Sequence, residues 1–382
     1  MGSDPSRILA LDSARGTAML LVCISHFTEV YSRNSGAPLY GVYYLTMMAA
    51  PTFMIISGIL LGFFYTSKKS SFELIKRDYI NRGIFILVIV RLFICSAFIL
   101  RSHGLFESTK YVFITDVIGV NIIFGPALIN KVQPIFRIAL GLICMILSWI
   151  VTILWEPNNN YFEFLKEIVF GDLENTYFHS LHYVFPLLPW FGLYFIGSYF
   201  GERLGYSVLT REKLIAIKYF IKIGLYSATI AVLVKLVFSL FKSYSLWPAS
   251  KSLTLWALTS PLQKSPPSII YFLFYGGLGL FFIGCLLYLE QKKWLVFYLE
   301  TTAIVGRASL FVFVIQYYFY YTILYAIDLH YSQAWPIYFL LSLLFIFLLA
   351  RIWDSMKLNR FLTFWAIYRL FNAHFQQLRL FN

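Results

Sequence analysis

The sequence predicts an all-α integral membrane protein, a polytopic bundle of about ten transmembrane helices with both termini in the cytoplasm. Three observations predict it. First, 59% of the 382 residues are hydrophobic and only 13% are charged, with a mean hydropathy of +0.72, whereas soluble domains carry about 45–50% apolar and about 25% charged residues. Second, apolar runs near the roughly 20 residues that cross a bilayer follow one another almost end to end. Third, Lys and Arg gather in alternate loops. No stretch is left over for a soluble module, so residues 1–382 read as one domain.

The runs fall at residues 8–31, 40–66, 82–101, 111–130, 134–155, 182–202, 215–240, 268–289, 303–327 and 335–353. The first is long, carries internal charges and lacks an A-x-A cleavage site, so it reads as a retained span and not a signal peptide. The second holds "APTFMIISGILLGFF", where Pro51 can bend the helix and Ser57 and Gly58 allow close backbone approach. The third opens on "KRDYINRG" and carries Arg91 in its middle. The sixth begins with Pro186 and Pro189, sets Trp190 at membrane depth, and spaces Gly192, Gly197 and Gly201 for tight contact. The ninth begins at "VGRASLF", and on one continuous helix Gln316 falls opposite Arg307.

The loops alternate in charge. "SKKSSFELIKRDYINR", "NKVQPIFR", "GERLGYSVLTREKLIAIK", "EQKK" and the tail are basic; the intervening set is much less so. The positive-inside rule places the basic set in the cytoplasm. It also accounts for the net charge of +13 without a nucleic-acid partner. Residues 156–180 include "NYFEFLKEIVF", whose apolar spacing predicts a short surface helix. The stretch 242–268, with "SPLQKSPPS", is long and aromatic-rich, which suits sugar or lipid contact or an interfacial belt. The four cysteines lie in apolar runs without metal or CxxC spacing. His179 and His182 are too few to hold zinc. Phosphate-loop, Rossmann and G-x-S-x-G patterns are absent.

"LDSARGTAMLLVCISHF" puts Asp12, Arg15 and His26 inside the first span, where ionisable side chains are costly and usually functional. Arg15 and His26 lie eleven residues apart, nearly three turns, on one face and about 16 Å apart along the axis. Asp12 projects within about 40° of His26 and lies at pairing distance from Arg15. Glu29 sits three residues beyond His26. Taken singly, these are a structural pair and a satisfied core histidine. On one stripe they suit proton handling near neutral pH. Arg77, Arg82, Arg307, Lys292 and Lys293 are cations able to meet phosphates or to anchor helices among headgroups.

Arg15, ten residues, then His26 resembles the opening helix of the acyltransferase 3 superfamily. "APTFMIISGILLGF" and "GRASLFVFVIQ" are similar to its second-helix and late-helix motifs. "FPLLPWFGLYFIGSYFGE" resembles the branch that contains heparan-alpha-glucosaminide N-acetyltransferase. Relatives often carry a histidine at the place of Gln316. The resemblance implies an acyl-CoA-dependent O- or N-acyltransferase of a bacterial cytoplasmic membrane. It would take acetyl-CoA, or another acyl-CoA, as donor without a metal, and acylate an extracytoplasmic glycan or glycolipid among membrane lipids, as monomer or homo-oligomer. On that reading Arg77, Arg82, Arg307, Lys292, Lys293 and Ser57 face the donor. His182, Trp190, Trp247 and Trp256 face the acceptor. His26 acts as base or acyl carrier, with Arg15, Asp12 and Glu29 in support. A sugar or lipid transporter or flippase is the alternative, and a silent scaffold the third reading.

Overall fold

A computed structural model describes residues 8–31, 40–102, 104–173, 181, 183–243, 252–323, 326 and 335–363. His182 and Trp247 lie outside the described residues, as does the tail from 364 onward. The main helices are α1 (Leu9–Tyr31), α2 (Ala49–Ser67), α3 (Lys69–Ala97), α4 (Ile114–Leu128), α5 (Pro134–Leu154) and α6 (Leu187–Leu209). They continue with α7 (Lys213–Ser243), α8 (Ile269–Lys292), α9 (Val296–Arg307), α10 (Ser309–Ile323) and α11 (Trp335–Ser355). A two-residue parallel pair, Tyr111–Val112 with Tyr183–Val184, is the sheet among the described residues.

Among the described residues six helices are long and apolar enough to cross a membrane, or seven with the bent pair α9–α10 taken as one span. That is fewer than the ten apolar runs of the sequence. α4 is 15 residues long. In α1 and α6, polar residues such as Asp12, Arg15, Glu202 and Arg203 dilute the hydropathy. The outward faces of α5, α7 and α11 are apolar and exposed, including Ile146, Ile150, Leu233, Leu236, Leu340 and Leu344. A soluble monomer rarely leaves so large an apolar surface uncovered; a membrane protein covers it with lipid.

Two seams of small residues fix the frame. In the α2–α6 seam, a Cβ on Gly58 would lie 1.9 Å from the Tyr194 carbonyl, and one on Gly201 1.9 Å from that of Ile59. Gly58 meets residue 194 and Gly62 meets 198, so the two helices run parallel. In the α1–α9 seam, Gly16 abuts the Thr302 carbonyl and Gly306 that of Asp12, each at 1.8 Å from the built Cβ. The hydroxyls of Ser13 and Thr302 lie 2.7 Å apart, as do those of Thr17 and Tyr298. Glu290 accepts from the Leu9 and Ala10 amides at 3.2 and 2.9 Å, filling donors that the first turn of α1 cannot satisfy itself.

Two further features position the site. Arg91 of α3 forms an ion pair with Asp116 of α4 and donates to the Thr109 carbonyl at 2.9 Å, which accommodates its charge at depth. The chain bends by 67° between α9 and α10. Because of that break, the helical-wheel relation expected between Arg307 and Gln316 does not hold. The short helix Asn160–Val169 forms, with the Asn159 side chain accepting from the Phe162 amide at 3.0 Å. Its exposed Tyr161, Phe162 and Phe164 suit a helix lying at an interface.

Candidate functional site

A cavity of about 490 Å³ runs along one face of α1. Leu11, Asp12, Arg15, Met19, Val22 and His26 line it from that helix, the three-to-four spacing of a single helical face. Phe53, Ser57 and Leu60 of α2, Tyr79, Arg82 and Ile86 of α3, and Ile118 and Ile122 of α4 form further walls. Ser309, Phe313 and Tyr317 of α10 close it, and Lys264 reaches in from the segment before α8. From Leu11 to His26 the face is about 22 Å long.

One end is cationic. Arg15, Arg82 and Lys68 line it, and the Arg15 and Arg82 charges act on each other and on Tyr79. Among the described residues neither Arg15 nor Arg82 forms an ion pair, and Asp12 and Arg15 do not lie at ion-pair distance. The expected Asp12–Arg15 pair does not form; Arg15 and Arg82 both line the cavity instead. Like charges held together at a cavity wall favour an anionic occupant.

The other end is built around His26. Its ring packs edge-on to Tyr317, with centroids 5.0 Å apart, and against Tyr321 at 5.7 Å. Tyr321 donates to Glu29 Oε2 at 3.3 Å, so Glu29 is tied to α10 and does not line the cavity. Lys264 lies in a braced turn. The Gln263 side chain donates to the Ser265 carbonyl at 2.7 Å, the Ser268 hydroxyl to the Ser260 carbonyl at 2.6 Å, and the Trp149 indole to the Pro267 carbonyl at 2.8 Å. Burial pushes the Lys264 ammonium down to about 8, against an opposing pull from Glu29.

The cavity therefore brings together Asp12, Arg15, His26, Ser57 and Arg82. It leaves other candidates outside. Arg307 clamps α9 to α11, its Nε 2.8 Å and its Nη2 2.6 Å from the Asp354 carboxylate, while Asn359 donates to the Arg307 carbonyl at 2.6 Å. Arg77, Lys292 and Lys293 are exposed beyond the walls, with Lys292 over the Tyr288 ring at 6.0 Å. Trp190 is fully buried in the core against Phe185 and Phe272. Trp256 is half exposed on the helix Ser252–Thr259. Ser57 lines the cavity but its hydroxyl donates within α2, to the Phe53 carbonyl at 2.9 Å. Gln316 is fully buried, and neither amide atom finds a partner among the described residues.

Sequence reading missed Lys68, Tyr79, Lys264 and Tyr317. Tyr79 had a signal, since it sits one turn before Arg82 in "KRDYINRG". Lys264 had a weaker one, as a lone cation in "SPLQKSPPS". Among the described residues no group of three His, Cys, Asp or Glu side chains is placed to hold a metal ion.

The cavity thus joins the cations Arg15, Arg82 and Lys68 to the His26 imidazole along one largely apolar wall. Comparison with curated proteins gives no match. Residues 7–230, more than half of the chain, match the family model described as heparan-alpha-glucosaminide N-acetyltransferase, catalytic. This chain therefore belongs to the heparan-alpha-glucosaminide N-acetyltransferase catalytic family, a family of acyltransferases.

Proposed function

We propose that this membrane acyltransferase passes an acyl group, acetyl in the first instance, from cytoplasmic acyl-CoA to a hydroxyl or amine of an extracytoplasmic glycan or glycolipid. The observation that carries the reading is the single cavity with Arg15 and Arg82 at one end and His26 at the other. CoA phosphates would sit with Arg15, Arg82 and Lys68. The slim pantetheine arm follows Met19, Val22, Phe53 and Leu60 toward His26. There His26 accepts the proton of the acceptor hydroxyl or amine. The freed oxygen or nitrogen attacks the thioester carbonyl, the C–S bond breaks, and the departing CoA thiolate takes the proton back from the imidazolium. An acyl-histidine route differs in that the imidazole itself attacks first.

The proposal includes ten crossings, with α1 running outward from a cytoplasmic N-terminus. Gly205 of α6 lies against Thr66 of α2, so Lys68 and Lys69 share one end of the bundle with the basic stretch 203–213, which supports a positive-inside placement of that end. The Arg15-x10-His26 spacing supports placement in the acyltransferase 3 superfamily, and a bacterial cytoplasmic membrane is the proposed setting. A translocation path for a sugar or lipid-linked substrate is the second reading, favoured by the length of the same cavity.

The test uses purified protein in detergent. Acetyl-CoA at about a hundred times its Kd should stabilise the fold by about 2.7 kcal/mol. His26→Ala should retain that stabilisation yet lose thioester turnover. Wild-type turnover in His26→Ala would refute the mechanism; the absence of any acetyl-CoA stabilisation would favour the translocation path.

A further inference from the structure

A second cavity, of about 880 Å³, opens where α6 ends and α5 and α7 begin. It is separate from the channel along α1 and shares no lining residue with it. It lies at the same end of the bundle as Lys68, because Gly205 abuts Thr66. Arg203 of α6 and Lys218 and Lys222 of α7, the last two a turn apart, line it. Ile135, Tyr206 and Ile215 line it as well and are 58%, 56% and 63% exposed.

Arg203 is held in place. Its guanidinium lies 5.4 Å from the ring centres of both Tyr199 and Tyr219. Its Nε donates to the Tyr199 hydroxyl at 3.2 Å, and the two tyrosine hydroxyls are 3.2 Å apart. Two aromatic faces stabilise the planar cation and cut the entropy lost on binding. Among the described residues Arg203, Lys218 and Lys222 form no ion pair. The neighbouring Glu202 is already bonded to buried Arg137 at 2.6 Å. Glu212 is the remaining acid of the cavity wall, so the cations outnumber it three to one.

We infer that this cavity holds the headgroup of an acidic phospholipid. The phosphate lies among Arg203, Lys218 and Lys222, and an acyl chain runs over Ile135 and Ile215. A cationic pocket between helix ends with an exposed apolar flank matches an amphiphile with a negative head. A soluble phosphate would leave that flank uncovered.

The test uses the full chain in phosphatidylcholine nanodiscs, with dioleoyl phosphatidylglycerol as probe and native mass spectrometry and thermal unfolding as readouts. Phosphatidylglycerol should be retained and should raise Tm; added phosphatidylcholine and inorganic phosphate should not. Arg203→Ala, and separately Lys218→Gln/Lys222→Gln, should each weaken phosphatidylglycerol binding about tenfold or more, the worth of a charged hydrogen bond. Both lysines are exposed, so the double variant should keep the wild-type Tm in phosphatidylcholine and serve if Arg203→Ala folds poorly. Wild-type phosphatidylglycerol retention in the lysine variant overturns the inference. So does inorganic phosphate raising Tm as much as phosphatidylglycerol, which would mark a soluble-anion site.

Discussion

Gly16→Ala strikes the seam on which the channel is built. The added methyl would lie 1.8 Å from the Thr302 carbonyl, against the 3.0 Å that real Cβ contacts essentially never undercut. The obstacle is backbone on a packed helix, so α1 and α9 must part by about 1.2 Å. A displacement of that size takes the Ser13–Thr302 and Thr17–Tyr298 bonds, each 2.7 Å, past hydrogen-bonding range. Overpacking costs about 1–3 kcal/mol and each lost bond about 1 kcal/mol, so the variant should lose about 3–5 kcal/mol. The same movement shifts Arg15 against Arg82 and His26 against Tyr317. A misplacement near 1 Å can cost about a hundredfold in rate. Thermal unfolding in detergent and thiol release from acetyl-CoA read the two effects. Gly41→Ala is the control, since a Cβ there meets nothing within 4 Å. A Gly16→Ala protein with wild-type Tm and turnover would refute the seam as the element that places the channel wall.

Three other outcomes follow from the same geometry. Glu202→Gln should destabilise by about 3–5 kcal/mol by leaving the buried Arg137 charge uncompensated, whereas Arg137→Met/Glu202→Leu should recover most of the loss, as read by thermal unfolding. Arg82→Ala should weaken acetyl-CoA binding about tenfold or more, while Arg307→Ala should lower Tm but leave donor affinity alone; calorimetric titration of acetyl-CoA separates the two. Lys264 has a folded-state pKa near 8 against an ordinary 10.5, so the unfolded chain binds more protons between those values and wild-type stability should rise across that window relative to Lys264→Met. A flat difference in Tm between the two proteins from pH 8 upward would count against the burial of that ammonium.

What the sequence made legible follows the range of each interaction. The membrane class came from composition, because lipid replaces water at every outward position. The α1 stripe came from one helix and its 3.6-residue period, which needs no knowledge of neighbours. Arg307 shows the limit. Its partner Asp354 lies 47 residues away, and the kink at Ala308 breaks the register on which a helical wheel depends. Asp12 and Arg15 show it too: correct spacing on a helix permits a pair, but rotamers set by other helices decide whether one forms. Lys264 was hidden because a loop has no periodicity, and its turn is held by bonds such as that from Trp149, 118 residues distant from Pro267, which a local reading does not reach.

The channel is assembled from two stretches of very different standing. Its α1, α2, α3 and α4 walls lie within residues 7–230, the portion matched to the family. Lys264, Phe313 and Tyr317 come from beyond it. A recombinant chain that keeps the first 230 residues and takes the remainder from another family member would preserve the arginine end and the histidine. It would exchange the surfaces that face the histidine. On the proposed mechanism, such grafts would alter acceptor preference with the donor chemistry left in place, provided the graft retains a glycine at position 306 to seat against Gly16.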